Sequence, residues 1–384
     1  MNVDSEIFTP EHDMFRETAR RFVKKEIEPY YLEWETSEIG YPVALWKKAA
    51  EAGLIGIAIP PEFGGAGADM LYEVILAEEM GRSIAGVSTG ATLFSADLMT
   101  AIIVEYGSDE QKQVYLPRIL SGDVRMCAGI TEPAAGSDLN AITSTARLDG
   151  GDYLINGQKT FISNGMHANL CLYLARTAKD VEAGRGAMSM FLIDMDLPGI
   201  ARHRMNTMGE KAGSVAELFF QDVRVPARAM LGGEGMALKE NLAHLFMVDR
   251  VSIGLRALAT AQLAFDLTVE YVKQRTAFGK RIFDFQNTQF KLAEMKADLI
   301  VGHSFRDTLL RMFKSGTLDN LYASVAKLWL CEKEFEIAHQ CLQLHGGYGY
   351  IMESPIARIF TFARLETIYA GTSEIQKGMI ARYL

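Results

Sequence analysis

Cysteine is scarce in this 384-residue chain, with four residues and no Cys-x-x-Cys pair. Cys127, Cys171, Cys331 and Cys341 each sit in an apolar setting, which argues against a disulfide framework and for reduced core thiols in a cytosolic-type compartment. Positive charge is also short: 39 Lys and Arg against 48 Asp and Glu leave a net charge of −9. A broad nucleic-acid surface needs clustered cations, so no nucleic-acid partner is expected. The dense basic cluster Arg20-Arg21 with Lys24-Lys25 is interleaved with Glu17, Glu26 and Glu28 and reads as a solvated helix face. The seven histidines include no i,i+4 pair, so no metal is expected. No apolar run reaches the length that spans a bilayer, so no membrane partner is expected. Met1 to Glu6 lacks a basic region followed by an apolar one. The expectation is therefore a cytoplasmic chain without a secretory signal, or a mitochondrial-matrix one if it is a processed eukaryotic chain.

What is present is a change of period along the chain. Apolar content of 49% and charged content of 23% are those of a globular protein. Residues 1–123 read as a helical domain. Thr9-Pro10-Glu11 starts its first helix, with Thr9 as cap and Pro10 in the first turn. Further helices are expected near 42–52, 71–81, 86–106 and after Ser108. Small residues from Gly86 to Ser95 allow either close helix packing or a roomy ligand cavity. The loop from Ile59 to Gly67 is glycine-rich, yet no Lys-Ser or Lys-Thr pair makes it a phosphate loop.

Residues 124–231 alternate with period two, and the reading is a compact β-barrel or sandwich domain. Asp149-Gly150-Gly151 and Asn156-Gly157 are its hairpin-type turn signals. Residues 232–384 return to the helical period. Val251, Leu255, Leu258, Phe265, Val269 and Val272 share one face of a long helix, and two more long helices follow. The expected fold class is α+β multi-domain: an N-terminal all-α domain, a middle β-barrel or sandwich, and a C-terminal four-helix bundle.

Chemistry is concentrated in short segments. Ile130-Thr131-Glu132-Pro133-Ala134-Ala135-Gly136-Ser137-Asp138 follows an apolar run that reads as a buried strand. Pro133 ends the ladder, small residues let the backbone approach something flat or anionic, and Thr131 and Ser137 supply hydroxyls. Taken alone, an ordinary strand-ending turn explains it as well. Gln158 to Gly165, Gln274 to Lys280, Phe285-Gln286, Gln343 to Gly349 and Tyr369 to Ile375 are the other segments of this kind.

Six segments in this order resemble those of the acyl-CoA dehydrogenase family, and the resemblance covers nearly the whole chain. It implies non-covalent FAD between the β domain and the bundle, in a homotetramer built as a dimer of dimers. It also implies an acyl-CoA substrate and an electron-transfer flavoprotein as acceptor. Ile130, Thr131, Gly136 and Ser137 would meet the flavin ring or the acyl-CoA. Phe161 would cover one flavin face where many members carry Trp, with Ile162 beside it among the cofactor contacts. Ser163 would bond near the reactive ring nitrogen, where Thr is commoner. Arg275 would bind the pyrophosphate, since a guanidinium fork fits phosphate oxygens. Phe278 and Phe285 join the cofactor contacts. Gln286, Gln343, Leu344, Gly346 and Gly347 would hold the adenosine part from a neighbouring subunit. Gly371, Thr372, Ser373 and Glu374 would lie on the cofactor near a helix start.

Removing a proton alpha to a thioester carbonyl needs a carboxylate within reach and donors on the carbonyl oxygen. In many family members the base is a Glu directly before the Gly-Thr pair. Here that position is Ala370, whose side chain cannot act but whose N–H can still donate to the thioester. A smaller branch, resembling isovaleryl-CoA and long-chain enzymes, carries its Glu on the first long bundle helix, before an Arg. The matching pair is Asp249-Arg250, so Asp249 is the expected base and Arg250 a supporting cation near the substrate. Asp is one methylene shorter than Glu, about 1.5 Å. The alternative for this pair is a surface ion pair with Lys239 or Glu240 as neighbours. Three activities stay open: dehydrogenation to a trans-2-enoyl-CoA, another chemistry on the same fold (an oxidase or an enoyl-CoA reductase), and a catalytically silent FAD- or acyl-CoA-binding protein.

Overall fold

A computed structural model describes residues 7–177, 188–237 and 242–384. They fall into two compact units. One comprises Met1–Pro29, Met70–Gly90 and Met247–Leu384, and the other Tyr30–Asp69 and Ala91–Phe246. The sequence order is a helical N-terminal part, a sheet-containing middle and a helical C-terminal part.

The first unit is helical apart from one short hairpin, Thr276-Ala277 with Lys280-Arg281. It holds α1 (Pro10–Phe22) and α4 (Met70–Gly81), three long helices α7 (Leu242–Gln274), α8 (Gln286–Lys314) and α9 (Asn320–His345), and the shorter α10 (Pro355–Glu366) and α11 (Ser373–Ala381). Thr9 caps α1 with Pro10 at its first position, as expected. Val251, Leu255, Leu258, Phe265 and Val272 of α7 interlock with Leu292, Met295 and Leu299 of α8 and with Leu330 and Ile337 of α9 in one core. Three to four apolar residues per two turns give each helix the stripe that makes this packing. The small residues after α4 serve close packing at two positions. A Cβ on Gly86 would lie 2.9 Å from Met80 Cα, and one on Gly90 would meet the Met80 side chain.

The second unit carries α2 (Tyr31–Thr36), α3 (Ala44–Glu51), α5 (Ala91–Tyr106), α6 (Asp109–Leu120) and an eight-stranded mixed sheet. Its strands are β1 (Met126–Gly129), β2 (Thr145–Asp149), β3 (Asp152–Ile162), β4 (Leu170–Thr177), β5 (Met188–Asp194), β6 (Ile200–Arg204), β7 (Ala216–Pro226) and β8 (Met230–Leu231), in the order β6-β7-β3-β2-β4-β5-β8. β1 and β2 both run parallel to β4, opposite Leu170–Tyr173 and Arg176-Thr177 respectively. The loop from Ile130 to Ser144 therefore leaves and rejoins the sheet on one side of β4. Gly150 and Gly151, both at positive φ, make the two-residue hairpin between β2 and β3.

Asn156-Gly157 is a correction: it lies inside β3, not at a turn. The β3–β7 register shifts between Ile155 and Gly157, and Gly157 has a φ of 153°. A Cβ there would lie 2.9 Å from Ser144 Cα, so glycine answers to a β-bulge and a close backbone approach. All four cysteines are buried and unbridged.

Candidate active site

The Ile130–Asp138 segment is a built turn. Glu132 and Ala135 exchange both backbone hydrogen bonds at 3.0 Å. Thr160 N–H on β3 donates to Thr131 O at 2.9 Å, so the motif lies against the second motif-bearing strand. Beneath it, Lys159 is wholly buried and donates to Ile130 O at 3.2 Å and to Glu132 Oε1 at 2.8 Å. The Glu132 carboxylate also accepts from Thr143 N, Thr143 Oγ1 and Ser144 N. Burial works against the Glu132 charge, but the Lys159 ammonium and these donors hold its carboxyl down at about 2. Sequence reading assigned no role to this pair, although both residues stand inside the motifs. A buried Lys is a detectable anomaly only once a partner carboxylate is seen.

Above this foundation the side chains open outward. A Cβ on Gly136 would meet nothing within 4 Å, and Gly136 and Ser137 are exposed. Phe161 sits at the second bulge of β3 with φ of 57° and is 65% exposed. Left-handed backbone is uncommon for a bulky residue. Here it turns an aromatic face outward while Ile162 stays in the core. Ser163 is partly buried, and its hydroxyl has no partner among the described residues.

On the helical unit, Thr276-Ala277 and Lys280-Arg281 pair as a hairpin around Phe278 and Gly279, at φ of 51° and 77°. Phe278 is 96% exposed and meets the Phe285 ring edge-on at 6.4 Å. Arg275 is exposed, and among the described residues its guanidinium has no partner. Its N–H is held by Tyr271 O, and the Tyr271 ring stacks on His345 at 4.3 Å. That contact brings the Arg275 hairpin to the end of α9, where Gln343, Gly346 and Gly347 are exposed and Leu344 is half-buried. Gln286 is exposed at the first position of α8.

Asp249 lies on α7, partly buried, and its carboxylate has no hydrogen-bond or ion-pair partner among the described residues. Burial pushes its carboxyl from 3.8 up to about 6. Arg256, Arg250 and Lys327 pull it down, while Glu366 pushes it further up. Arg250 is buried and donates to Asn320 Oδ1 at 3.3 Å. Lys239 and Glu240, the alternative neighbours of Asp249, lie outside the described residues.

Ile253 and Ala257 follow Asp249 at four-residue steps on one face of α7, and Tyr369 and Ala370 pack against them. Ala370 has φ of 52°, and its N–H has no partner among the described residues. The loop around it is clamped: Lys327 Nζ donates to Gly371 O at 2.8 Å, and Gln376 Nε2 to Ala370 O and Gly371 O at 3.3 and 3.0 Å. Thr372 caps α11 through Ile375 N, Ser373 Oγ donates to Glu332, and Glu374 follows in the first turn. By helical spacing Asp249 lies on the side of α7 whose Ile253 and Ala257 meet the Ala370 loop, and the ties around that loop were absent from the sequence reading. Among the described residues no group of three His, Cys, Asp or Glu could hold a metal, and no helix is long and apolar enough to cross a membrane.

Three family profiles match in order: "Acyl-CoA dehydrogenase, N-terminal domain" over residues 9–123, "Acyl-CoA dehydrogenase, middle domain" over 127–223, and "Acyl-CoA dehydrogenase, C-terminal domain" over 233–384. The long-chain specific acyl-CoA dehydrogenase of Rattus norvegicus mitochondria is 39% identical over 380 residues, covering 98% of this chain and 87% of that protein. The crystal structure of acyl-CoA dehydrogenase from Geobacillus kaustophilus superposes with a TM-score of 0.93 at 39% identity, covering 99% of each chain. A glutaryl-CoA dehydrogenase from Mycobacterium smegmatis, solved in complex with FADH2, matches at TM-score 0.86 and 27% identity, over 100% of this chain and 96% of that one. Fold, motif order and these matches agree that the chain belongs to the acyl-CoA dehydrogenase family of flavoprotein oxidoreductases.

Proposed function

We propose that this enzyme is an FAD-dependent dehydrogenase of an acyl-CoA thioester, yielding a trans-2-enoyl-CoA, with Asp249 as the base. The observation that carries the reading is the Asp249 carboxylate, without a hydrogen-bond or ion-pair partner among the described residues, on the α7 face where the Ala370 loop packs. A base on that face serves the space that a Glu at 370 serves in the commoner family pattern.

The residues fit the cofactor. Phe161 offers an aromatic face and Gly136 open space, and Ser163 a hydroxyl and Arg275 a fork for phosphate that have no partner among the described residues. Bound FAD supplies the acceptor for the hydride leaving the substrate's beta carbon. The chain's own residues do the rest. Asp249 accepts the alpha proton, and a carboxyl raised to about 6 is a stronger base than an ordinary Asp while still ionised at neutral pH. Ala370 N–H donates to the thioester oxygen as enolate charge develops there. Arg250 adds positive charge near the substrate. Ser137 on the exposed turn contacts the substrate or the flavin.

The same reading includes a homotetramer, with Gln286, Gln343, Leu344, Gly346 and Gly347 reaching the neighbouring subunit's adenosine. It also includes Gly371 to Glu374 at the cofactor, an electron-transfer flavoprotein as acceptor, cytoplasmic placement, and domains at 1–123, 124–231 and 232–384. The deciding experiment is anaerobic mixing of the FAD-loaded protein with acyl-CoAs of graded length and branching. Loss of flavin absorbance with at least one chain is expected. No bleaching with any chain rejects the reading, and oxygen uptake matching substrate turnover replaces it with an oxidase.

A further inference from the structure

Arg256 follows Asp249 by seven residues, about two turns of α7 and roughly 10 Å along its axis. Its Nε donates to Glu366 Oε1 at 3.1 Å, at the end of α10, and a terminal nitrogen donates to the Tyr369 hydroxyl. Tyr369 in turn donates to Glu366 Oε2 at 3.1 Å. Guanidinium, carboxylate and phenol close a ring, and Tyr369 is the residue directly before Ala370. Glu366 is fully buried and Arg256 nearly so. Glu334 on α9 is also fully buried, its carboxyl oxygens are unpaired among the described residues, and it interacts with the same pair. Burial pushes the Glu334 carboxyl well above the usual range, and burial also raises that of Glu366, against which the Arg256 guanidinium and the Tyr369 hydroxyl pull it down.

A buried ion pair is a poor device for stability alone, because apolar side chains of similar volume do as well or better. Its placement points to geometry. A non-glycine residue at positive φ persists only where the surroundings over-determine it. Ala370 has the ring before it, the Lys327 and Gln376 clamps around it, and Ile253 and Ala257 beneath it.

We propose that Arg256 and Tyr369 are positioning residues: through Glu366 they lock the Ala370 loop to the helix that carries Asp249, so that thioester donor and base share one frame. The proposal rests on the function argued above. Neither residue is given a bond to the substrate, and the shared frame is the means by which they act on the reaction.

Tyr369→Phe and Arg256→Lys test it in the full-length, FAD-loaded protein. Phe keeps the ring and removes the hydroxyl tie, whereas Lys keeps the charge and removes the fork. Two CoA ligands of the same chain length are titrated by calorimetry: the enoyl-CoA product, which has the carbonyl, and a saturated thioether, which lacks it. Both variants should keep FAD content and melting temperature. They should bind the enoyl-CoA about tenfold more weakly and the thioether within about twofold of the parent, and lose roughly tenfold to a hundredfold in kcat/KM. Parental enoyl-CoA affinity and kcat/KM in both variants would overturn the proposal. So would equal weakening of the two ligands, which marks a collapsed pocket. A parental Arg256→Lys would also overturn it, since charge alone would then suffice. If the parent protein itself fails to prefer the carbonyl ligand, the thioester-donor role of Ala370 fails instead, separately from the ring.

Discussion

At the scale of single residues, the proposed role of Asp249 as the base predicts a measurable signature in pH. Only the ionised carboxylate takes a proton, and burial raises its carboxyl to about 6. kcat/KM should therefore rise about tenfold per unit below pH 6 and level off above it. A flat profile between pH 5 and 8 would move the base elsewhere. Asp249→Asn should keep FAD and lose on the order of a thousandfold in turnover, within the usual range for a general base. The same shift has a stability sign. A carboxyl raised above its unfolded value binds a proton on folding, so its favourable contribution is complete below about pH 3.8 and is lost as pH rises through 6. The Asn variant should thus melt higher than the parent at pH 8 and alike at pH 4. The gain should be on the order of 1 kcal/mol, discounted because the carboxyl is partly solvent-screened. Asp249 is singled out in the sequence by resemblance to the branch that carries a Glu before an Arg on the first long bundle helix, and its role as base belongs to the proposed function. Arg256, Glu366 and Tyr369 were not legible, since 110 or more residues separate α7 from its partners and no local pattern links them.

Whole elements show where local sequence signals succeed and where tertiary context overrides them. The α7 stripe, the Thr9 cap and the Gly150-Gly151 hairpin were legible because each follows from period or turn chemistry within a few residues. Asn156-Gly157 misled because glycine answers equally to a tight turn and to a bulge pressed against Ser144. Of the short helices, α11 was read only as a helix start near Gly371 to Glu374 and α10 was not read, since neither carries a long stripe. β3 is the element on which the cofactor assignment depends. It holds buried Lys159 and outward Phe161 two residues apart, because the bulge after Lys159 breaks the alternation. Lys159→Met should leave Glu132 an uncompensated buried charge and cost about 3–5 kcal/mol, with loss of FAD following the disordered 130–136 turn. Denaturant titration with flavin fluorescence reads both. Phe161→Gly should act in the opposite sense on stability. It relieves left-handed backbone by about 1 kcal/mol and sacrifices little core, since the ring is mostly exposed. FAD affinity should nonetheless fall, and a variant that binds FAD like the parent would separate Phe161 from the flavin.

For the whole molecule, the residues assigned to the cofactor divide between the two compact units. Thr131, Gly136, Phe161 and Ser163 belong to one, and Arg275, Phe278, Gln286 and Gly371 to the other. The exposed side chains among them, Phe278 above all, add little to the stability of the isolated chain. They take on their role only if a ligand or a second copy covers them. Ligand binding to the folded state alone stabilises by mass action, about 2.7 kcal/mol at a hundredfold excess over Kd. Spread over an unfolding entropy of about 0.8 kcal/mol/K for a chain of this length, that is a shift of roughly 3 °C. If FAD is held by both sets of residues, every resolved calorimetric transition of the apoprotein should move upward on adding it. If the adenosine end is held by a neighbouring copy through Gln343 to Gly347, the shift should also grow with protein concentration at fixed free FAD, because dilution removes the copy that completes the site. Phe278→Ser and Gln286→Ala should shrink the FAD-dependent shift while leaving the apoprotein's own transitions in place. A shift confined to one transition and independent of concentration would restrict the cofactor to one unit of a single subunit and remove the neighbouring-subunit assignment of Gln286 and of the α9 end.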